Sequence, residues 1–328
     1  MFFATPSPKT TKKGEIMDIN RYSPSYSIAQ RHMTKLATYS TEEIFELLYA
    51  IKAMKAKFIA HEDTAILKGV TVATIYGDTS IRTRAALSIG IRQLGGDTVN
   101  VPYSKSDMLA GENIKDIVNV VSRYGVGALV TRGIEQADLD EFCAVSNTPI
   151  INSSNSDFLP VQTLCDLYTI WEKKGRLEGV KIAYVGKGNN NLSSLIMGAI
   201  KCGMDVSVAT PSEFPVNPTH LASAEQYGKI NITDNPAVAV KNADVVYTDS
   251  YNYHAQLTKE EGEIFKPYQV NNALFSLASP EAIFMHPLPA KRGVEVTADV
   301  IDGKKSIVYD QAENKLHTYK AIFALLIK

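Results

Sequence analysis

The stretch GVTVATIYGDTSIRTRAALSIGIRQLGG, residues 69–96, divides into three pieces. GVTVATIY, residues 69–76, is a short β-branched and apolar run of the kind that forms a strand buried on both faces. From residue 82 the apolar residues recur at helical spacing. Between the two, Ser80, Arg82, Thr83 and Arg84 fall within five positions. A strand, then a short polar loop, then a helix start is where free backbone N–H groups and the positive end of the helix dipole converge. Arginines are unfavourable at that end of a helix, so solvation alone explains the loop poorly. A phosphate explains it better: two planar guanidinium forks and two hydroxyls would supply its oxygens with donors.

Outward from this stretch the same alternation repeats. YSTEEIFELLYAIKAM opens with a capping box from Ser40 to Glu43 and continues with Ile44, Leu47, Leu48 and Ile51 on one helical face. Strand-like runs at 70–76, 97–101, 126–131 and 148–152 alternate with helical patterns at 82–94, 112–123 and 136–145, a βαβ series that implies a parallel sheet. A second series starts near residue 180 with VKIAYVG, MDVSVAT, KINIT, ADVVYTD, AIFMH and KSIVYD, each read as a strand. The helix VQTLCDLYTIWEKKG, from Val161, lies between the two series, and AENKLHTYKAIFALLIK forms a last helix. The fold class expected is α/β, with two doubly wound parallel-sheet domains and the ligand site in the cleft between them, because ligands bind at the carboxyl ends of parallel strands. The divisions are a flexible arm at 1–20, an anion-binding domain at 21–160 joined by the C-terminal helix 312–328, and a second domain at 161–311.

Composition narrows the class. A formal net charge of -1 offers no basic surface for nucleic acid or membrane headgroups. No apolar run approaches the roughly 20 residues of a membrane span, and the first 18 residues do not read as a signal peptide. Cys143, Cys165 and Cys202 are odd in number, lack C-x-x-C spacing and sit in apolar contexts, which fits buried free thiols in a reducing cytoplasm. No metal site is expected.

Three further segments sit at strand ends. YVGKGNNNLSSL, residues 184–195, offers Gly186 and Gly188, but Asn191 stands where a dinucleotide loop needs its third glycine. No acidic residue closes the next strand either, so a nicotinamide enzyme is a weak reading and the asparagines fit a polar small molecule. VVYTDSYNYHAQ, residues 245–256, carries Asp249 just past a strand, followed by Tyr251, Asn252, Tyr253 and His254. A carboxylate there suits a ligand ammonium, or else a helix cap. FMHPLPAKRGVEV, residues 284–296, places two prolines around Leu288 in a stiff loop with exposed carbonyls; His286 reads equally as a core residue or a ligand contact.

Taken in order, SIRTRAALSIGIRQLGG, ENIKDIVNVVSRYG, LPVQTLCDLYTIWE, YVGKGNNNLSSL, ADVVYTD, PYQVN, FMHPLPAKRGVEVTADVIDG and AENKLHTYKA resemble the aspartate/ornithine carbamoyltransferase family, nearer its ornithine branch. The resemblance runs from about residue 34 nearly to the end. It implies transfer of a carbamoyl group from carbamoyl phosphate to the amine of an ornithine-like amino acid or polyamine, without metal or organic cofactor, by a cytoplasmic homotrimer with shared sites. The first domain would take carbamoyl phosphate or another phosphorylated small molecule, and the second an amino-acid or amine acceptor. By the same resemblance Ser80, Ile81, Arg82, Thr83 and Arg84 would cradle the phosphate and Arg132 would reach phosphate and carbonyl. Gln162 would be the glutamine of an H-P-T-Q motif. Asn190 and Asp249 would hold an acceptor by carboxylate and ammonium, and the carbonyl of Leu288 would accept a bond from the carbamoyl nitrogen.

The chain departs from the family pattern at several of these places. Leu159 replaces the H-P-T-Q histidine that donates to the carbamoyl oxygen, Lys315 replaces the arginine of A-E-N-R, and Ile81 replaces a threonine. Asp78 stands two before the loop serine where the ornithine branch is basic. Asp107 falls where a neighbouring subunit would supply a polar residue, and YHA, with His254 at its centre, replaces S-M-G. Losing one oxyanion donor costs about 10²–10³ in rate. An impaired or repurposed family member, acting as a binding or regulatory protein or using a different donor, is therefore the alternative reading. His254 is a candidate substitute donor.

Overall fold

The structure is a computed structural model and describes residues 17–77, 80–102, 113–253 and 255–327. Asp78, Asp107, His254, arm residues 1–16 and the segment 103–112 lie outside the described residues. The chain forms two compact units, one built from residues 23–168 and 313–327, the other from residues 17–22 and 169–312.

The first unit holds a four-stranded parallel sheet of β1 (Thr71–Tyr76), β2 (Asp97–Pro102), β3 (Ala128–Arg132) and β4 (Ile150–Ser154), in the order β2-β1-β3-β4. Every residue of β4 and all but the last of β3 are buried, although β4 ends in the polar run Asn152, Ser153 and Ser154. Their helices are α1 (Thr41–Ile59), α2 (Ile81–Gln93), α3 (Ile114–Arg123), α4 (Gln136–Val145) and α5 (Pro160–Lys174). The Ser40–Glu43 capping box is present and starts α1. Ala73, Ile75, Leu129 and Ile150 of the sheet pack with Val118, Leu139 and Phe142 of α3 and α4 as one core.

The second unit holds a five-stranded parallel sheet of β5 (Lys181–Val185), β6 (Asp205–Ala209), β7 (Ile230–Thr233), β8 (Val245–Tyr247) and β9 (Ile283–Met285), ordered β7-β6-β5-β8-β9. Its helices are α6 (Asn190–Lys201), α7 (Pro218–Glu225), α8 (Pro236–Val240), α9 (Lys259–Phe265), α10 (Asn272–Phe275) and α11 (Ala298–Ile301). The last helix, α12 (Val308–Leu326), follows. Both sheets are doubly wound, as the alternation of segments predicts.

Each sheet reverses its direction of growth beside its first strand. In the first unit β1 is flanked by β2 and β3, and in the second β5 is flanked by β6 and β8. Loops at such a switch point diverge and leave room for a ligand. The residues after β1 and β3, and those after β5 and β8, occupy these positions.

Two expectations are corrected. KSIVYD is not a strand: Ser306 makes an isolated bridge to Phe284, and Val308 already begins α12. A two-residue β-branched run at a helix start carries no period of its own. The end of the expected arm is also ordered. Ile19–Arg21 forms a 3-10 turn with Ile19 buried, and Asn20 accepts from Trp171 Nε1 at 3.1 Å while donating to the Gly175 carbonyl at 2.8 Å.

Candidate functional site

In the first unit the sheet register sets Tyr76 beside Arg132, and Gly77 N donates to the Arg132 carbonyl at 2.8 Å. The loop after β1 therefore starts next to Arg132. Ser80 takes the N-cap position of α2 with extended backbone, and its hydroxyl donates to Thr83 Oγ1 at 3.0 Å rather than to a backbone amide. Thr83 is buried, whereas Ile81 is 85% exposed. Arg82 and Arg84 are exposed, and the Arg84 guanidinium lies 4.8 Å from the Tyr76 ring centre, a contact suited to a planar cation. No acidic residue stands in the first turn of α2 beside these arginines.

A second set of polar groups in this unit comes from helices far apart in sequence. Lys315 Nζ, on α12, donates to Gln162 Oε1 at 2.9 Å, and Gln162 Nε2 donates to Asp166 Oδ1 at 2.8 Å. Gln162 and Asp166 are buried on α5. Burial holds the Lys315 ammonium down to about 8; Arg132 and Arg82 push the same way, against Cys165 and Asp166. Arg82, Arg132 and Lys315 thus feel one another's charge, an arrangement that an anion would relieve. Leu159 lies half-buried just before α5, and its carbonyl accepts from Thr163 N and Oγ1.

In the second unit Asp249 is fully buried past β8 and meets four donors. Its Oδ2 accepts from Asn189 Nδ2 at 3.1 Å and Asn191 Nδ2 at 3.0 Å; its Oδ1 accepts from Ser250 N at 2.8 Å and from the Tyr253 hydroxyl. Burial raises the Asp249 pKa, and His286 together with the bonds from Tyr253, Asn191 and Ser250 opposes the rise. Asn189 also caps α6 by accepting from Leu192 N at 2.8 Å. Asn190, the residue matched to the family by sequence, is half-buried and accepts from Asn191 N at 2.9 Å; it makes none of the four bonds to Asp249. The two amides that do were missed because a helix start turns residues one apart to different sides.

Gly188 has a steric reason unrelated to a dinucleotide. A Cβ there would lie 1.9 Å from the Pro215 carbonyl oxygen, while Gly188 N donates to Phe214 O at 2.9 Å. Gly186 has φ 143° and faces the Tyr251 ring.

Leu288 sits at φ 55°, a strained value for a residue with a side chain. It is held from below. Leu288 N donates to His286 Nδ1 at 2.9 Å, so the imidazole proton lies on Nε2, which faces Glu295 Oε1 at 3.3 Å. His286 and Glu295 are both fully buried. Beside them Lys291 Nζ donates to the carbonyls of Asn252 at 2.7 Å and Ala255 at 2.6 Å, tying the segment after Asp249 to the Leu288 loop. His286 is thus a support for the loop, and neither Glu295 nor Lys291 was signalled by spacing.

Two family models match this chain. The aspartate/ornithine carbamoyltransferase carbamoyl-P binding domain matches residues 31–172, and the Asp/Orn binding domain of the same family matches residues 178–326. The chain belongs to the aspartate/ornithine carbamoyltransferase family. Among its relatives, "Ornithine carbamoyltransferase" of Halalkalibacterium halodurans is 40% identical over 92% of this chain and 96% of its own length. "Ornithine carbamoyltransferase, anabolic" of Pyrococcus furiosus is 39% identical over 92% and 98%. The solved ornithine carbamoyltransferase of Pyrococcus furiosus superposes with TM-score 0.87 at 39% identity, covering 92% of this chain and 98% of that one. That of Thermus thermophilus gives 0.83 at 31% identity, covering 92% and 100%.

Within the family frame, Ser80–Arg84, Arg132, Leu159 and Gln162 fall in the carbamoyl-P binding match, and Asn190, Asp249 and Leu288 in the Asp/Orn binding match. Lys315 also lies in the second match by sequence, yet it packs in the first unit. The described residues hold no cluster of three or more His, Cys, Asp or Glu side chains suited to a metal ion. None of the three cysteines is in a disulfide, and burial pushes the Cys143 and Cys202 thiols up to about 12. Among the described residues no helix is long and apolar enough to cross a membrane.

Proposed function

We propose that this chain transfers the carbamoyl group of carbamoyl phosphate to the amine of an ornithine-like amino acid, giving a ureido product and phosphate. The observation that carries the reading is the convergence of Arg82, Arg132 and the Gln162-bound Lys315 within the part of the chain that matches a carbamoyl-P binding domain. The ornithine carbamoyltransferases named above support the choice of acceptor class.

In this reading the amine nitrogen attacks the carbonyl carbon, the carbonyl oxygen gains negative charge, and the carbon–oxygen bond to phosphate then breaks. The phosphate leaves with its electron pair and the amine loses a proton. Arg82 and the first-turn amides of α2 hold the phosphate oxygens, and Ser80 and Thr83 add hydroxyls. Arg132 and Lys315 stabilise the oxyanion, which fixed positive groups do most effectively when they need no reorganisation. Gln162 orients Lys315 and the carbamoyl nitrogen. Asp249 and Asn190 hold the acceptor, and the Leu288 carbonyl accepts from the carbamoyl nitrogen. We further propose a homotrimer in the family manner, which sedimentation at micromolar concentration would test; a stable monomer would remove it.

Leu159 favours a second reading, a protein that binds a phosphorylated ligand without transferring it. Phosphate release from carbamoyl phosphate, with ornithine and with putrescine as acceptors, separates the two. Release that depends on ornithine supports transfer; anion binding with no release from either amine supports the binding role.

A further inference from the structure

The Asp249 carboxylate has about four lone-pair positions, and four donors already occupy them. Three of these belong to rigid parts of the fold. Asn189 caps α6 and Asn191 sits in its first turn, and Asn191 Nδ2 also donates to Tyr247 OH at 3.1 Å. Ser250 N is backbone. The fourth, the Tyr253 hydroxyl, belongs to a side chain that is 41% exposed and reaches Asp249 from the loop tied down by Lys291. A phenol donor beside a buried carboxylate occupies the place an incoming N–H donor would need.

We propose that Tyr253 is a specificity-determining residue: its hydroxyl competes with an acceptor's α-ammonium for Asp249, so the unaltered protein discriminates weakly between acceptors with and without that group. The inference rests on the reading of Asp249 as an acceptor contact. Binding an α-ammonium then exchanges one charge-assisted hydrogen bond for another instead of adding one, and such exchanges leave little net affinity. The supporting geometry is that Asn189 cannot withdraw without uncapping α6 and Asn191 is buried and also bonded to Tyr247, whereas the tyrosine can turn outward toward solvent.

Ornithine and 5-aminopentanoate differ by that one ammonium and share the distal amine and the carboxylate. Calorimetry with each, in the presence of a saturating phosphonate analogue of carbamoyl phosphate, reads the competition directly. The expected result is a difference within about threefold for the unaltered protein. In Tyr253→Phe, which keeps the ring and its packing, ornithine should tighten about tenfold with 5-aminopentanoate unchanged. Adding Asp249→Asn should cancel the gain. An unchanged ratio in Tyr253→Phe, equal tightening of both ligands, or no binding of either ligand to either protein would overturn the proposal. Phosphate release is measured separately with the same amines. Ornithine binding that tightens in Tyr253→Phe without any release would sink the transfer reading and leave the competition standing; release with an unchanged ratio would do the reverse.

Discussion

Lys315 Nζ donates to Gln162 Oε1 across 2.9 Å, so α12 and α5 meet through a cation held by a carboxamide. The carboxamide is itself anchored on buried Asp166. Burial, together with the charges of Arg132 and Arg82 that the ammonium so held feels, lowers its pKa.

This pairing sets a pH dependence. Burial lowers the Lys315 pKa to about 8, so the group is cationic below that pH and neutral above it. Inorganic phosphate is mainly the dianion from about pH 7.5 to about pH 9.5, and within that range its affinity should fall roughly fivefold or more as pH rises through 8. Lys315→Arg keeps its charge throughout and should flatten the profile. Calorimetry across that range decides it; parallel slopes in the two proteins would place Lys315 outside the anion's reach.

Leu159 offers a gain-of-function test. Leu159→His would restore a donor to the position from which the family supplies one to the carbamoyl oxygen. The transfer rate with ornithine should rise, by no more than about 10²–10³. Lys315→Arg alone should change it less. A rate unmoved by the histidine, with phosphate affinity intact, would show that this position does not face the carbonyl.

The support beneath Leu288 has a stability signature. Glu295→Leu removes the buried carboxylate that accepts from Lys291 N and faces His286 Nε2 at 3.3 Å, leaving the amide unpaired at a cost of about 1–3 kcal/mol before packing changes are counted. Glu295→Gln retains a carbonyl oxygen there and should lose less. Urea denaturation of both variants measures the gap; equal losses would mean that the loop takes no support from an acceptor at this position.

His317 predicts acid sensitivity. It is fully buried on α12, 5.1 Å from the Phe58 ring between centres, and burial lowers its pKa to about 4. The unfolded chain takes up a proton near its ordinary 6.5, so between 6.5 and 4 the unfolded state binds more protons than the native one. Stability should therefore fall as pH drops through this window, by at most about 3 kcal/mol from this group. His317→Leu should flatten that part of the profile in denaturation at stepped pH. An equally steep fall in the variant would assign the sensitivity elsewhere.

The alternation of strands and helices was legible because buried parallel strands concentrate β-branched residues into short runs, as at Val72–Ile75 and Val245–Val246. KSIVYD misled for the same reason, since Ile307 and Val308 resemble a strand for two residues before α12 takes over. The loop from Ser80 to Arg84 stood out because two arginines oppose a helix dipole. Lys315 and Gln162 could be matched to motifs but not paired, since 153 positions separate them in the chain. Likewise nothing in NNN shows which amides reach Asp249. That depends on the cap geometry of Asn189, which only the folded turn reveals.

The C-terminal helix also orders events during synthesis. All four strands of the first sheet have been made once Ser154 is joined, but Lys315, Asn314, which accepts from Lys55 Nζ at 2.8 Å, and Tyr319, which bonds Ser153, come after the whole second unit. At the usual pace of roughly 5–20 residues per second, the ribosome leaves the first sheet waiting many seconds for its closing helix. A chain interrupted before Glu313 would carry Arg82, Arg132 and Gln162 yet leave the Gln162 carboxamide without its lysine, so truncated products should hold phosphate more weakly than chains that carry the helix.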